Sequence, residues 1–152
     1  MANPPKAPPP ERVDGQPSYW LMKSEPDKYS WLDLVRDGRT RWDGIRNHQV
    51  AIYLRSMRVG DLGLFYHSNV GLEVVGVVEV VKEFYPDPTD PTGRFVAVDV
   101  KPRQPLARPV TLAQMKANPA LGDLPMFRQF RLSLVPVRPA EWATIMAMAE
   151  EV

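Results

Sequence analysis

Residues 62–84, LGLFYHSNVGLEVVGVVEVVKEF, contain two runs that are typical of β-strands. The first run, Leu62–His67, is apolar and aromatic, and the second, residues 73–84, is rich in valine. Both residue classes are enriched in strands because they fit a pleated, half-buried surface. Gly76 interrupts the second run, which indicates a bulge or a bend. This region therefore predicts two consecutive strands.

The segments on either side extend the pattern to a mixed fold. Strands are also predicted at residues 19–23, 95–101 and 130–137, and helices at residues 30–38, 47–57, 111–118 and from residue 139 onward. This order lacks the regular strand–helix alternation of a doubly wound parallel sheet. We predict an α+β fold in which a mixed, mostly antiparallel β-barrel carries short helices at its periphery.

The length and the proline distribution predict one domain behind a tail. The chain has 152 residues, which is typical of a single domain that can bury a core without disulfides or metals. Residues 1–17 contain six of the 17 prolines and little that could form a core. Successive prolines favour extended, unpacked backbone. We predict a disordered, proline-rich tail over residues 1–17 and a folded domain over residues 18–152.

The composition excludes several classes of protein. There is no cysteine, so disulfides, thiolate nucleophiles and zinc–thiolate sites are excluded. The net charge is +1, too small for general binding to a phosphate backbone, so a role with nucleic acid requires a local patch or a specific pocket. No apolar run approaches the ~20 residues that cross a bilayer, and no secretory signal is present. We therefore expect a cytoplasmic protein without membrane contact.

Sequence motifs of common enzymes are missing as well. The chain contains no G-x-S-x-G elbow, no P-loop and no G-x-G-x-x-G loop. His48 and His67 are not spaced as zinc ligands. His67 and Ser68 are adjacent, and neighbouring strand residues point to opposite faces, which makes proton transfer between them awkward. We predict no catalytic residue, no metal and no cofactor.

Polar side chains follow two of the predicted strands. Lys23 and Ser24 follow the first, and Ser68 and Asn69 follow the strand that ends at His67. A rigid strand can present such side chains to a ligand, whereas Ser and Asn also simply form turns. The residues alone leave both interpretations open.

Trp42 stands outside any periodic apolar run. Arg39, Arg41 and Arg46 lie close to it in sequence. A flat indole beside cations suits a base-stacking platform next to phosphate-binding groups. The alternative is that Trp42 belongs to the hydrophobic core, as Trp20 and Trp142 do by their periodic positions.

Short motifs along the chain resemble those of the EVE domain family. In order, they are YWLMKSEP at residues 19–26, WDGIRN at 42–47, RVGD at 58–61, FYHSN at 65–69, YPD at 85–87 and RLS at 131–133. Each string alone is weak, but their shared order and spacing are specific and span nearly the whole predicted domain. The chain departs from many relatives at Val50-Ala51-Ile52, where they have Ala-Arg-Asn.

The resemblance implies a PUA-like fold and a non-enzymatic module that binds a modified base in DNA or RNA; we expect a monomer. By matching positions, it implies a base pocket formed by Ser24, Trp42, Asn47, Ser68 and Asn69, and phosphate contacts from Lys23, Arg46 and Arg131. Two other functions stay open. An enzyme acting on modified nucleosides or nucleotides would need Lys23 or Glu25 with a displaced pKa in the pocket. A protein-interaction domain would need an exposed apolar patch.

Overall fold

A computed structural model describes residues 7–150 of the chain. The strands are β1 (Tyr19–Ser24), β2 (Thr40–Trp42), β3 (Leu62–His67), β4 (Glu73–Pro86), β5 (Val96–Thr111) and β6 (Leu134–Val137). The helices are α1 (Trp31–Asp37), α2 (His48–Ser56), α3 (Leu112–Ala117), α4 (Pro125–Arg128) and α5 (Pro139–Glu150), with a 3₁₀ turn at Pro119–Leu121. None of the helices within residues 7–150 is both long and apolar enough to cross a membrane.

The strands form one sheet in the order β2-β5-β4-β3-β1-β6. Neighbouring strands are antiparallel except β1 and β3, which pair in parallel. Their register runs from Tyr19 opposite Leu62 to Ser24 opposite His67. Parallel pairing brings the carboxyl ends of β1 and β3 to the same edge of the sheet. The polar residues that follow these two strands are therefore neighbours in space.

The sheet is open, so the predicted barrel is wrong. Its edge strands, β2 and β6, have three and four residues and do not pair with each other within the described chain. Edge strands this short offer few backbone groups for closure, and Pro136 in β6 has no N–H to donate. The coarser prediction is confirmed: the fold is α+β, with a mostly antiparallel sheet and short helices.

The segment before β6 also differs from its prediction. Residues 130–137 were expected to form one strand, but the strand begins only at Leu134. Before it, Pro125–Arg128 forms one helical turn, and the Leu132 N–H donates to the Gln129 carbonyl at 3.0 Å. β2 was not predicted at all, since a three-residue strand exists only through its pairing with β5.

Gly76 allows α1 to pack on the sheet. A Cβ at this position would lie 2.5 Å from carbon atoms of the Trp31 ring, closer than van der Waals contact permits. The β4 register shifts between Val74 and Gly76, as the glycine predicted. Trp31 is buried there with its edge against Phe65, at 5.6 Å between ring centroids. Glycine is therefore needed for close approach of an indole as well as for the bulge.

The N-terminal segment contacts the domain. Within residues 7–17, Arg12 donates to the carboxylate of Asp61, and the Ala7 carbonyl accepts from the Tyr53 hydroxyl at 2.6 Å. These contacts differ from the predicted disordered tail without a structural role. The first six residues of that predicted tail lie outside the described part of the chain.

Candidate functional site

A cavity of about 510 Å³ lies beyond the carboxyl ends of β1 and β3. The turn after β3 forms one side, and the segment from α3 to β6 forms the other. The lining residues are Lys23, Glu25, Tyr66, Ser68, Asn69, Leu72, Leu112, Lys116, Met126, Phe127, Phe130, Arg131, Leu132 and Ser133. The cavity has the size typical of small-molecule sites, ~300–1,000 Å³.

The structure divides the predicted site residues into two groups. Lys23, Ser68, Asn69 and Arg131 line the cavity. The other four, Ser24, Trp42, Arg46 and Asn47, do not line it. The parallel pairing of β1 with β3 explains the first group, because it brings two motifs that are about 40 residues apart to one edge of the sheet.

The turn after β3 is fixed by hydrogen bonds to the end of β1. The Ser68 N–H donates to the Ser24 carbonyl at 2.9 Å, and Asn69 Nδ2 donates to Glu25 Oε1 at 2.8 Å. Asn69 has a φ of 67°, in the left-handed region that asparagine tolerates better than most residues. The Asn69 amide therefore holds Glu25 at the cavity, and the Ser68 side chain lies beside it.

Lys23 joins β1 to the opposite side of the cavity. Its Nζ donates to the Phe130 carbonyl at 2.7 Å, and its backbone N–H donates to the Ser133 carbonyl at 2.8 Å. Burial lowers the pKa of the Lys23 ammonium. Lys23 thus stabilises the segment before β6. Its predicted contact with phosphate is not tested by this geometry.

Ser24 and Asn47 bond to their own local backbone. The Ser24 hydroxyl donates to the Tyr29 carbonyl at 2.5 Å and closes the turn before α1. The Asn47 side chain accepts from the Val50 N–H at 3.0 Å and caps α2. Both side chains serve turn or helix ends in this structure, which is the alternative that their residue types allowed.

Trp42 lies in the hydrophobic core cluster. It is 9% exposed, and its ring meets the edge of Phe65 at 5.9 Å between centroids and an interplanar angle of 84°. An indole packed in this way has little surface left for a base. The role of Trp42 as a base platform stays a prediction.

Arg46 pairs with a buried acid. Its Nη1 donates to Asp87 Oδ2 at 3.1 Å and its Nη2 to the Thr89 hydroxyl at 3.0 Å, while the Asp87 side chain is fully buried. Burial alone raises the pKa of Asp87, but hydrogen bonds from Thr89, Gly44 and Arg46 outweigh it and lower the pKa to about 2. The ion pair ties the WDGIRN motif to the loop after β4.

The other arginines near Trp42 are paired too. Arg39 bonds to Asp99 at 2.8 Å and Arg41 to Asp43 at 2.7 Å. By contrast, Arg131 and Lys116 at the cavity have no acidic partner within ion-pair distance among residues 7–150. Two cations at the cavity are therefore free of acidic partners among the described residues.

The structure adds aromatic residues that were not predicted for the site. Tyr66, Phe127 and Phe130 line the cavity together with Ser133 and Lys116. Tyr66 belongs to the FYHSN motif and could have been found from it. Phe127 and Phe130 precede the RLS motif; Phe130 was interpreted as the start of a strand, and the helical turn that carries Phe127 was not predicted. Within the described residues, no group of three or more His, Asp or Glu is placed to hold a metal ion.

Comparison with known proteins identifies relatives over almost the whole domain. The EVE domain model matches residues 18–148. Human thymocyte nuclear protein 1 is 33% identical over 168 residues, which cover 88% of this chain and 75% of that protein. The rat and mouse relatives carry the same name. The name points to the nucleus, so the expectation of a cytoplasmic protein is contradicted.

Solved structures also include relatives that cover most of this chain. An NMR structure of a Rhodopseudomonas palustris protein is 46% identical with a TM-score of 0.83, covering 87% of this chain and 92% of that one. A crystal structure of human THYN1 protein in complex with 5-methylcytosine containing DNA is 30% identical, also with a TM-score of 0.83. It covers 89% of this chain and 99% of that one.

Proposed function

We propose that this chain, which belongs to the EVE domain family, is a non-enzymatic module that binds a modified base in nucleic acid. The cavity at the ends of β1 and β3 would receive the base. One observation carries the proposal: the parallel pairing of these strands brings Lys23, Ser68 and Asn69 to a single cavity, where Arg131 meets them. The human relative in complex with 5-methylcytosine containing DNA supports it.

The lining suits a flat, polar-edged ligand. Phe127, which is half-buried, supplies aromatic surface, and stacking of a base on an aromatic side chain contributes about 1–3 kcal/mol. Ser68 and Ser133 can donate to or accept from a base edge, and the Glu25 carboxylate can accept from an exocyclic amino group such as that of cytosine. Apolar walls with a few polar groups are typical of specific small-molecule pockets.

The charges of the cavity suit the sugar-phosphate backbone that carries such a base. Three cations, Lys23, Lys116 and Arg131, and one acid, Glu25, line it. Although the net charge of the whole chain is only +1, this local excess of positive charge would attract phosphates to the cavity. We propose that DNA carries the modified base, with RNA as the competing carrier. We also propose a PUA-like architecture for the domain and a single copy of the chain as the binding unit.

Calorimetric titration with matched oligonucleotides tests the proposal. We expect a DNA with one 5-methylcytosine to bind more tightly than the same DNA with cytosine, and more tightly than the RNA of equal sequence. The double variant Ser68→Ala with Asn69→Gly should weaken binding about fivefold to tenfold, through loss of one or two hydrogen bonds. Glycine is chosen for position 69 because it tolerates the positive φ of Asn69.

A matched control variant distinguishes the loss of cavity contacts from a general effect of substitution on affinity. Ser56 donates its hydroxyl to the Ile52 carbonyl in α2 and does not line the cavity, so Ser56→Ala should leave affinity unchanged. Equal affinity for the methylated and unmethylated DNA would contradict recognition of this modification. Equal affinity of the double variant and the unaltered protein would place the ligand elsewhere.

An enzyme acting on modified nucleosides or nucleotides is the second candidate. The observation in its favour is Lys23, which lies at the cavity with its pKa lowered by burial, as an amine used in catalysis would be. Against it, the Lys23 Nζ is already bonded to the Phe130 carbonyl. Mass spectrometry of the ligand after incubation decides between the two: recovery of intact ligand supports binding alone, and turnover abolished by Lys23→Met supports the enzyme.

A further inference from the structure

Phe130 is an exposed aromatic residue at the cavity. It is 69% exposed, compared with 48% for Phe84, which is the other exposed phenylalanine of the described chain. Phe130 lines the cavity, whereas Phe84 lies in β4 and does not. The exposed ring keeps apolar surface in contact with water, which is unfavourable, and at the mouth of a cavity that surface is available to a ligand. Its position points to a ligand.

The backbone around Phe130 is held in place. Its carbonyl accepts from Lys23 Nζ at 2.7 Å, and the Ser133 carbonyl accepts from the Lys23 N–H at 2.8 Å. The Leu132 N–H closes a turn onto Gln129 at 3.0 Å. A side chain on an anchored turn loses less entropy on binding than one on a mobile loop. The Phe130 ring is therefore presented to solvent from a fixed position.

Arg131 lies on one side of the same ring. Its guanidinium carbon is 5.8 Å from the Phe130 ring centroid, and it has no acidic partner within ion-pair distance in the part of the chain that the structure describes. A planar cation can remain against one face of the ring while the other face stays open. The pair thus offers one aromatic face and an adjacent positive charge.

We propose that Phe130 stacks on the base next to the modified one when the modified base enters the cavity. This inference rests on the proposed function. A base that leaves a duplex exposes one face of each neighbour, at a cost in stacking free energy. Covering one such face with an aromatic ring at the cavity recovers part of that cost. Arg131 beside the ring would then meet the adjacent phosphate.

The test compares a duplex with a free nucleoside. Dissociation constants are measured for a DNA duplex with one 5-methylcytosine and for 5-methyldeoxycytidine, using the full chain. We expect Phe130→Ala to weaken duplex binding about tenfold while nucleoside binding changes less than about twofold. Phe130→Trp should keep duplex affinity within about threefold of the unaltered protein, because indole also stacks. Phe84→Ala is the control and should change neither constant.

Each other result overturns the inference. Unchanged duplex affinity in Phe130→Ala, or an equal loss for duplex and nucleoside, would exclude stacking on a neighbouring base and leave the proposed function intact. No binding of either ligand by the unaltered protein would overturn the proposed function and this inference together. Melting temperatures of all variants confirm that they fold, as expected for substitutions at exposed rings.

Discussion

Arg12 donates to both carboxylate oxygens of Asp61, from Nη1 to Oδ1 at 2.6 Å and from Nη2 to Oδ2 at 2.7 Å. The Asp61 side chain is 2% exposed, and it also accepts from the Ser18 N–H at 3.1 Å and from Trp20 Nε1 at 3.0 Å. A two-pronged arginine–carboxylate pair is both stronger and more specific in geometry than a single contact. Asp61 therefore connects the N-terminal segment, the first strand and the turn before β3.

Replacing Arg12 should destabilise the protein. Arg12→Ala leaves a buried carboxylate with fewer donors, and we expect the free energy of unfolding in urea to fall by about 1–3 kcal/mol. Removal of residues 1–17 should have at least this effect, because it removes the same pair. Arg128→Ala is the control: its pair with Asp123 is exposed, so the loss should stay below about 1 kcal/mol. Equal, small losses would support a tail without a structural role.

Trp42→Ala distinguishes a core residue from a base platform. Because Trp42 is buried against Phe65, we expect the free energy of unfolding to fall by about 3–5 kcal/mol, as for a large cavity in a core. Trp20→Ala supplies the reference, since Trp20 is fully buried. A Trp42 variant of nearly unchanged stability that binds the base more weakly would instead establish the platform.

Arg46 and Arg131 should differ in their effect on the salt dependence of oligonucleotide binding. Arg131 has no acidic partner within ion-pair distance among the described residues, so Arg131→Ala should reduce the slope by about one ion. Arg46 is engaged with Asp87, so Arg46→Ala should leave the slope unchanged and lower stability instead. The measurement is the dissociation constant over a series of salt concentrations. A reduced slope in the Arg46 variant would show that this arginine leaves Asp87 to bind phosphate.

His67 should make stability depend on pH. Its Nε2 accepts from the Trp31 N–H at 3.1 Å, which requires the neutral ring, and burial lowers its pKa from 6.5, opposed by Glu73. A lowered pKa means that the unfolded chain takes up the proton first. The contribution of neutral His67 to the free energy of unfolding is therefore fully present above about pH 6.5, and it is lost as the pH falls through the pKa of His67 in the folded protein.

The free energy of unfolding in urea at pH 5 to 7 measures this dependence. His67→Gln keeps an acceptor but no titrating ring, so its stability should vary less over this range. His48→Gln is the matched control, since the chain has only these two histidines. A pH slope that survives in His67→Gln would assign the effect to another group.

The sequence by itself determined most elements and the family. The helices predicted over residues 30–38 and 47–57 are α1 and α2; a capping box at Ser30 and Gly38, with a φ of 72°, bound α1, and Asn47 caps α2. These signals are local, because a cap or a left-handed glycine acts within one turn of backbone. The EVE motifs likewise identified the family from short strings.

Only the tertiary structure decided which polar residues share a site. The register of β1 against β3 places Lys23 beside Ser68 and Asn69, whereas Trp42, close to Arg46 in sequence, packs into the core. It also decided that the sheet stays open. The pairing of β1 with β3, the ion pair of Arg46 with the buried Asp87 and the anchoring of Phe130 by Lys23 all join residues about 40 to 107 positions apart. Such contacts depend on how the whole chain packs, and no local pattern of residues encodes them.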